Sequence, residues 1–471
     1  MKASKTVIAL SVFLMTGAAL FGADGKYEAT WESLDSRPTP KWWIDAKFGI
    51  FVHWGLYSVP AYSPTGGKDV YSCYAEWYQG QLIRTNANVL AHHAAYYGKA
   101  PYANFATQFT ARNFNPDYWA GLFRRAGAKY AVLTAKHHDG YALWPTVISP
   151  YYNSVALGPG RDIAKEFTTA MRSAGLRSGF YFSLIEYANP LYPGKIRGAP
   201  SYGPEALPMK EWARRVNLSQ MRDLVMRYHP DIIWPDGAWD WPAEEQLSAE
   251  FLAWLFNESP VRETVAVNDR WGKGMNGHHG GHYTTEYGDG EDGAKNKIGD
   301  EVHPWEECRG IGKSFGFNMM ETPDEYMTSA KCIEVLVDVA SRGGNLLLNV
   351  GPTADGRIPA IMQDRLMAMG HWLDVNGNAI YGTRKWKHAR MNIGKSRVYF
   401  TAKGRRIYAI VFGTNDKSLK FADIGGVERV SLLGYEGDVE WRQEGNDVVV
   451  TMPSDPPEEV ALAFLLEKGD R

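Results

Sequence analysis

Short apolar runs alternate with longer segments of helical period from about residue 45 to residue 350. The runs are rich in Val, Ile, Phe and Tyr, and they lie at 47–53, 129–136, 178–184, 231–235, 264–268, 282–287, 314–318 and 345–350. Helical periods fall between several of them, at 115–127, 211–229 and 324–343. Apolar runs joined by helices are typical of buried parallel strands with crossover helices. The pattern therefore predicts an α/β fold, a (β/α)₈-like barrel.

The pattern changes after about residue 383, where strands of alternating polarity are separated by turn residues. These strands lie within 396–413, 427–434, 438–453 and 459–468. Short alternating strands without intervening helices indicate an antiparallel sheet. We therefore expect the barrel domain to occupy residues 24–380 and a C-terminal antiparallel β-sandwich domain to occupy residues 381–471.

The N-terminus has the composition of a secretory signal peptide. Two lysines precede an apolar run from Val7 to about Phe21, and the small residues Gly22 and Ala23 follow. A transmembrane anchor is the alternative reading, but the run is shorter than the roughly 20 residues that a span needs. We expect residues 1–23 to be removed and the mature protein to be exported, to the periplasm or the medium, without a membrane span.

Charge and cysteine content narrow the class of protein further. The chain has 51 Lys and Arg against 53 Asp and Glu, a net charge of −2, and no long run of one sign. Nucleic-acid binding is therefore not expected. The three cysteines, Cys73, Cys308 and Cys332, allow at most one disulfide, so the fold does not depend on a cystine framework.

Polar and titratable residues collect where the predicted strands end. They are His53, Lys136, His137, His138, Asp139, Asp236, Asn268, Asp269, Arg270 and Glu286. Any single one could cap a turn or helix, since Asp and Asn are common in that role. Active sites of such barrels lie at the carboxyl ends of the strands. Five strand ends of this kind predict a functional site there.

The histidines allow two chemistries. His137 and His138, with His278, His279 and His282, are of a type that can bind a metal. Neighbours on a strand point to opposite faces, however, so His137 and His138 are poorly placed to share one ion. The alternative is that neutral His, Trp and Arg side chains bind a polyol through hydrogen bonds and an aromatic face. We expect no metal and no other cofactor.

Asp236 and Glu286 lie on different strands of the predicted barrel. Glycoside hydrolysis with retention of configuration uses two carboxylates about 5–5.5 Å apart, one as nucleophile and one as general acid. Glu286 has the alternative of being a solvated loop acid, because it stands in the acidic stretch EYGDGED. The sequence does not give the distance between the two carboxylates.

Nine blocks of the chain, in this order, resemble glycoside hydrolase family 29, the retaining α-L-fucosidases. The resemblance runs from about Trp31 to Tyr381, and in that family a (β/α)₈-like barrel precedes a β-sandwich. The blocks are KFGIFVHWGLYSVPAY (47–62), EWY (76–78), AGAKYAVLTAKHHDGYALW (126–144), GFYFSLIEY (179–187), WPDG (234–237), NDRWG (268–272), PWEEC (304–308), SFGFN (314–318) and SRGGNLLLNVGPTADGRIP (341–359).

The resemblance implies a role for each matching residue. Asp236 in WPDG matches the nucleophile. The blocks that bind the fucose hydroxyls contain His53, Glu76, Trp77, His137, His138 and Arg270, and Tyr181 lines the same pocket. The apolar wall against the sugar methyl group is made by Phe51, Tyr74 and Trp234. Residues two apart on a strand share a face, so Phe51 with His53 and Trp234 with Asp236 are compatible pairs.

The general acid is not at a fixed spacing in this family. Glu286 in TTEY, after the NDRWG block, is the first choice, and Glu306 in PWEEC is the runner-up. The chain has WPDG where the family more often has WFDG, and a His-rich segment lies between Arg270 and Glu286. That segment leaves the position of the acid less defined.

The resemblance therefore implies an exo-acting, retaining α-L-fucosidase that hydrolyses terminal α-linked L-fucose from oligosaccharides, glycoconjugates or polysaccharides. Two alternatives stay open, a glycosidase for a related sugar such as α-L-galactose and an inactive carbohydrate-binding homologue. A metal-dependent hydrolase is a third, and a strong chelator would inhibit it. Linkage preference and oligomeric state are not given by the sequence.

Overall fold

A computed structural model describes residues 26–67, 70–187, 189–194, 205–287, 303–413 and 416–469. The predicted signal peptide at 1–23 lies outside the described residues, so it stays a prediction, as does the domain division at residue 380. Within the described residues, no helix is both long and apolar enough to cross a membrane.

Eight parallel strands form one curved sheet in the described part of the chain. Across the sheet their order is β5, β4, β3, β2, β1, β8, β7 and β6. A single parallel bridge between Asn268 and His282 joins the two edges. The strands are β1 (Phe48–Val52), β2 (Tyr130–Lys136), β3 (Arg177–Ser183), β4 (Ile232–Asp236), β5 (Ala266–Val267), β6 (Tyr283–Glu286), β7 (Trp305–Gly310) and β8 (Asn345–Val350). The prediction of a (β/α)₈-like barrel is confirmed.

The prediction of the seventh strand at 314–318 was wrong. The strand in that place is β7, which pairs in parallel with β6 and β8. Its sequence, WEECRG, looks too polar for a buried strand, yet all six residues are buried. The strand tolerates this because its charged side chains are paired: Glu306 accepts from Tyr130 and Trp234, and Arg309 donates to Glu307. Residues 314–318 form the loop that follows.

Some of the helices between the strands begin at a side chain that caps them. Asn115 accepts from the backbone N–H of Tyr118, and Asp162 accepts from that of Lys165. The predicted helix at 211–229 is interrupted by a π-helical turn at Ala213–Asn217. The α-helices are Trp31–Asp35, Lys41–Ala46, Tyr78–Ile83, Ala87–Tyr97, Pro116–Arg125, Ile163–Ser173, Met209–Trp212, Leu218–Tyr228, Ala243–Gln246, Ser248–Asn257, Ser329–Ser341 and Ala360–Asn376.

Two antiparallel sheets follow the barrel. One has the order β13, β16, β11, β10, β9, and the other has the order β12, β15, β14. Phe421 of the smaller sheet contacts Phe400 and Phe464 of the larger, at 6.1 and 5.9 Å between ring centres, so the sheets pack face to face. Their strands are β9 (Arg384–Ile393), β10 (Ser396–Lys403), β11 (Arg406–Phe412), β12 (Ser418–Phe421), β13 (Val427–Leu432), β14 (Trp441–Glu444), β15 (Asp447–Thr451) and β16 (Ala461–Lys468). The predicted β-sandwich is confirmed, although the sequence pattern had not indicated β9 or β12.

All three cysteines are buried free thiols. The barrel and the sandwich are therefore held by apolar packing and hydrogen bonds, in agreement with the expectation that no cystine framework is needed.

Candidate active site

Asp236 is the last residue of β4 and points into the carboxyl end of the barrel. In the register of β3 with β4, Tyr181 pairs with Trp234, two residues before Asp236. The Tyr181 hydroxyl donates to Asp236 Oδ2 at 2.9 Å, and Arg270 Nη1 donates to Oδ1 at 2.9 Å. Both oxygens of the Asp236 carboxylate therefore accept a hydrogen bond, which offsets the unfavourable burial of a charged side chain.

The charges around Asp236 favour its ionised form. Burial alone would raise the pKa of this carboxyl, but the charge of Arg270, the nearby His138 and the hydrogen bonds from Arg270 and Tyr181 outweigh it. The net result is a pKa below the ordinary value. A carboxylate that is buried and yet ionised is suited to act as a nucleophile.

Glu286, the last residue of β6, lies on the other side of the same arginine. Arg270 Nη1 donates to Glu286 Oε1 at 2.6 Å, and the Tyr74 hydroxyl donates to Oε2 at 3.3 Å. Because one nitrogen bonds Asp236 at 2.9 Å and Glu286 at 2.6 Å, those two carboxylate oxygens lie no more than about 5.5 Å apart. That limit equals the separation found in retaining glycosidases.

Arg270 is fixed in turn by groups behind it. Its Nε donates to Thr284 Oγ1 at 2.9 Å, and that hydroxyl donates to Asp269 Oδ1 at 2.7 Å. Its Cζ lies 4.8 Å from the centre of the Trp234 ring, so the guanidinium also rests on an aromatic face. Arg270 is thus held in one orientation between the two carboxylates.

Three buried histidines, His53, His137 and His138, lie in the same site as Asp236. The amide nitrogen of Asn349 donates to the Phe315 carbonyl at 2.6 Å, so its oxygen faces His53 Nδ1, at 2.7 Å. His53 therefore carries its proton on Nδ1, and its Nε2 is an acceptor. Burial lowers the pKa of His53 to about 3, and burial likewise lowers the pKa of His137 far below its ordinary value. These rings are neutral hydrogen-bonding groups.

His137 and His138 lie side by side, with 4.3 Å between their ring centres. His138 Nε2 is 3.8 Å from Asp236 Oδ2, and its Nδ1 bonds Ser183 Oγ at 2.6 Å. Within the described residues, His137 Nδ1 and His138 Nε2 are buried without a hydrogen-bond partner. Such atoms are available to a bound hydroxyl group.

Glu76 is buried behind the 314–318 loop. Its Oε2 accepts from Ser314 Oγ at 3.1 Å and from the backbone N–H of Gly316 at 2.8 Å. Burial raises the pKa of this carboxyl to about 8, although these hydrogen bonds oppose the rise. The neighbouring Trp77 lies edge-on to His138, at 5.5 Å between ring centres.

Aromatic rings form the remaining wall. Phe51 lies 4.5 Å from His53, 5.0 Å from Trp234 and 5.8 Å from Tyr181, measured between ring centres. Phe315 completes this wall, at 4.8 Å from His53 and 5.4 Å from Tyr74. The site therefore has an apolar side and a polar side, a combination common in binding sites for small molecules.

Glu306 lies in a different position from Glu286. Its two oxygens accept from the Tyr130 hydroxyl at 2.5 Å and from Trp234 Nε1 at 2.9 Å, and only 1% of the side chain is exposed. Its nearest histidine is His282, at 3.5 Å. Glu306 is therefore in the barrel interior and anchors the indole of Trp234.

Three contributors were not singled out from the sequence. Phe315 belongs to the SFGFN block, which was interpreted as a strand and as a family block, without a role for Phe315. Asn349 lies on β8, where an amide among leucines was the available signal. Trp239 stacks on Trp77 at 5.6 Å and 24° and lies edge-on to His138 at 5.3 Å. No sequence pattern distinguished Trp239 from Trp241.

Two histidines of the 276–282 segment contact different parts of the protein. His279 Nδ1 bonds Asp35 at 2.6 Å, and His282 stacks on Trp43 at 4.0 Å between ring centres. Among the residues that the structure describes, no three His, Cys, Asp or Glu side chains are grouped as metal ligands would be.

Comparison with known proteins gives one consistent result. The family model described as alpha-L-fucosidase matches residues 14–378. The tissue alpha-L-fucosidase of Rattus norvegicus is 39% identical over 95% of this chain and 93% of its own, and that of Homo sapiens is 37% identical over 93% and 90%. The Thermotoga maritima alpha-fucosidase, solved with a mechanism-based inhibitor, superposes with a TM-score of 0.81 at 34% identity, covering 94% of this chain and all of that one. The chain belongs to the alpha-L-fucosidase family, glycoside hydrolase family 29, and is a glycoside hydrolase.

Proposed function

We propose that this fucosidase is exo-acting and retaining, and that it releases terminal α-linked L-fucose through a covalent glycosyl-enzyme. The observation that carries the proposal is the pair of carboxylates, Asp236 and Glu286, bonded to one nitrogen of Arg270. Retaining enzymes need carboxylates about 5–5.5 Å apart, whereas inverting enzymes need about 6.5–9.5 Å to admit a water. The limit of about 5.5 Å between two of the oxygens supports retention.

Asp236 is the nucleophile in the first step. Its ionised oxygen forms a bond to the anomeric carbon as the bond from that carbon to the leaving oxygen breaks, and Glu286 gives its proton to the leaving oxygen. In the second step Glu286 takes a proton from water, and the water oxygen replaces Asp236 on the anomeric carbon. The two inversions give net retention.

Glu286 is a better general acid than Glu306 on two grounds. The Glu286 side chain is 19% exposed at the open end of the barrel, whereas the Glu306 side chain is 1% exposed. Both Glu306 oxygens are also occupied, by Tyr130 and Trp234. A leaving group can therefore reach Glu286 but not Glu306.

The polar side of the site fits the hydroxyl groups of fucose. His53 Nε2 accepts a hydrogen bond, His137 and His138 have free ring nitrogens, and Glu76 and Arg270 lie beside them. Phe51, Tyr74 and Trp234, with Phe315, face the C5 methyl group. α-L-Galactose has a hydroxymethyl group there, so the apolar wall favours fucose over that alternative.

Cleavage of terminal residues is part of this proposal and is what the resemblance to family 29 implies. The substrate is a fucosylated oligosaccharide, glycoconjugate or polysaccharide, and the reaction needs no cofactor. The N-terminal signal sequence supports export to the periplasm or the medium. Cell fractionation with an antibody against the protein would locate it, and retention of the full-length chain in the cytoplasm would contradict export.

The decisive test is NMR of the sugar released from an aryl α-L-fucoside. We expect α-L-fucose to form first and the β-anomer to appear only by mutarotation. The Asp236→Asn variant should fold normally, with an unchanged circular dichroism spectrum, and lose at least about 10³-fold in kcat. Initial release of the β-anomer, or substantial activity of Asp236→Asn, would refute the mechanism. Activity of the wild-type protein also excludes an inactive carbohydrate-binding homologue.

A further inference from the structure

Arg84 is a half-buried arginine at the rim of the site that lacks a counterion. It follows the helix Tyr78–Ile83, and its Cζ lies 4.9 Å from the centre of the Trp77 ring. Its Nε is buried without a hydrogen-bond partner, and no carboxylate pairs with it among the residues that the structure describes. An unpaired, partly desolvated charge is unfavourable unless something neutralises it.

The contacts of Trp77 connect Arg84 to the reaction centre. Trp77 lies edge-on to His138, whose Nε2 is 3.8 Å from Asp236. Burial lowers the pKa of His138 to about 4, Asp236 opposes the shift, and the charge of Arg84 adds to it. The guanidinium is therefore within electrostatic reach of a ring that touches the fucose pocket.

The other buried cations near the pocket are already neutralised. Arg270 is bonded to two carboxylates, and Lys136 Nζ bonds Glu186 at 2.6 Å. Arg84 differs from both because its positive charge is uncompensated within the described residues. The substrate is the obvious source of a counterion at this position.

We propose that Arg84 binds an oxyanion of the substrate, a sulfate ester or a carboxylate, beside the fucose pocket. The proposal rests on the proposed function, since Arg84 would act on a fucoside bound in that pocket. A guanidinium binds such groups through two parallel N–H donors. Its contact with the face of Trp77, which is itself stacked on Trp239 at 5.6 Å, orders the guanidinium and leaves its edge free for the anion.

The oxyanion has two possible sources in a fucosylated glycan. A sulfate ester would be carried by the fucose ring itself, and a carboxylate would be carried by the uronic acid to which fucose is attached. Both present oxygens of the same charge and spacing to a guanidinium. Substrates that carry only one of the two groups distinguish them.

The test uses the full-length mature protein and three sets of substrates. The first is 4-nitrophenyl α-L-fucoside, which is neutral. The second comprises its 2-O-, 3-O- and 4-O-sulfates, and the third is α-L-fucosyl glucuronic acid beside α-L-fucosyl glucose. The measured quantity is kcat/KM for each anionic substrate divided by that for its neutral counterpart, in the wild type and in Arg84→Met, which keeps an apolar stem on Trp77.

We expect Arg84→Met to lower this ratio by about tenfold or more for one anionic substrate, because a hydrogen bond to a charged group has that effect. Arg84→Lys should restore part of it. Arg222→Met is the matched control: Arg222 also has a buried, unbonded Nε and also covers a tryptophan, Trp254 at 4.8 Å, on the outside of the barrel. Its ratio should not change.

An unchanged ratio in Arg84→Met for every anionic substrate would overturn the inference, as would an equal loss on neutral and anionic substrates, which is what a structural role predicts. Failure of the wild type to cleave any of the anionic substrates would overturn it as well. If the neutral fucosides are not cleaved either, the proposed function fails, and the two failures are thereby distinguished.

Discussion

A single guanidinium nitrogen sets the electrostatics of the reaction centre. Arg270 Nη1 bonds both Asp236 and Glu286, and the opposite end of the side chain is fixed by Thr284. Asp236 has a second donor, Tyr181, and a histidine close by, whereas the second contact of Glu286 is a long one from Tyr74. The two carboxylates thus have different environments although they share one donor nitrogen.

The hydroxyl of Tyr181 offers a direct test of this arrangement. Its hydrogen bond helps to lower the pKa of Asp236, so Tyr181→Phe should raise that pKa. The acidic limb of the profile of kcat/KM against pH should move to higher pH, and kcat should fall by about tenfold or more. The phenylalanine keeps the stacking with His137 and Trp234. A fall in activity without a shift of the acidic limb would mean that Tyr181 acts only as a wall.

At the scale of elements, the sequence predicted seven of the eight barrel strands, most of them from continuous apolar runs and β6 from the more polar segment HYTTEY. It failed at β7, where pairing with Tyr130, Trp234 and Arg309 makes charged side chains acceptable in a buried strand. Such pairing is a tertiary property that no local pattern contains. The resemblance had marked the same segment, PWEEC, as a family block without giving its secondary structure.

For the candidate site, the sequence predicted the central charged residues but not all of the surrounding contacts. The strand-end pattern and the family blocks together selected Asp236, Arg270 and Glu286, which the structure brings into contact. The pairing of Trp239 with Trp77 was not predictable, because it depends on how two loops of the barrel fold toward each other. The same holds for Arg84, whose importance lies in the absence of a partner among the described residues.

A buried ion pair holds the end of β2, where Lys136 directly precedes His137 and His138. Lys136 Nζ bonds Glu186 at 2.6 Å and Gln220 at 3.0 Å, and neither ion is more than 3% exposed. Lys136→Met should lower the free energy of unfolding by about 3 kcal/mol, since it leaves a buried carboxylate unpaired. The double variant Lys136→Met, Glu186→Leu should recover much of that loss. Urea unfolding measures both, and a double variant as unstable as the sum of the singles would contradict the pairing.

For the whole molecule, one barrel helix contacts the larger C-terminal sheet through Glu334. Its Oε1 accepts from Arg397 Nε at 2.6 Å and from the Tyr399 hydroxyl at 3.0 Å. Glu334→Ala should lower the free energy of unfolding by about 1–2 kcal/mol without changing kcat/KM, because these bonds are partly exposed and far from Asp236. Glu467→Ala is the control, since its partner Arg406 lies within the same sheet. An equal loss of unfolding free energy in the two variants would show that the contact between helix and sheet adds no stability beyond that of an ion pair within one sheet.

The dependence of stability on pH is also a property of the whole chain, and the buried site contributes to it. Burial lowers the pKa of His53 to about 3 and that of His138 to about 4, and it lowers that of His137 as well. Below pH 6.5 the unfolded chain therefore binds protons that the folded chain excludes, and stability falls as the pH falls. Burial raises the pKa of Glu76 to about 8 and that of Asp139 to about 6, so these carboxyls act in the opposite sense.

Between pH 6.5 and 8 only Glu76 titrates in this group, and because the folded chain keeps its proton longer, its contribution to stability should fall as the pH rises. Between pH 6.5 and 4.5 the three histidines make the folded chain less stable as the pH falls, whereas Glu76 and, below about pH 6, Asp139 oppose that loss. The free energy of unfolding in urea, measured from pH 4.5 to 8, tests these contributions. Relative to the wild type, Glu76→Gln should lose the decrease in stability that Glu76 causes between pH 6.5 and 8, and His137→Gln should lose stability less steeply below pH 6.5. If neither variant changes its own side of the curve, these buried groups do not control the pH dependence of folding.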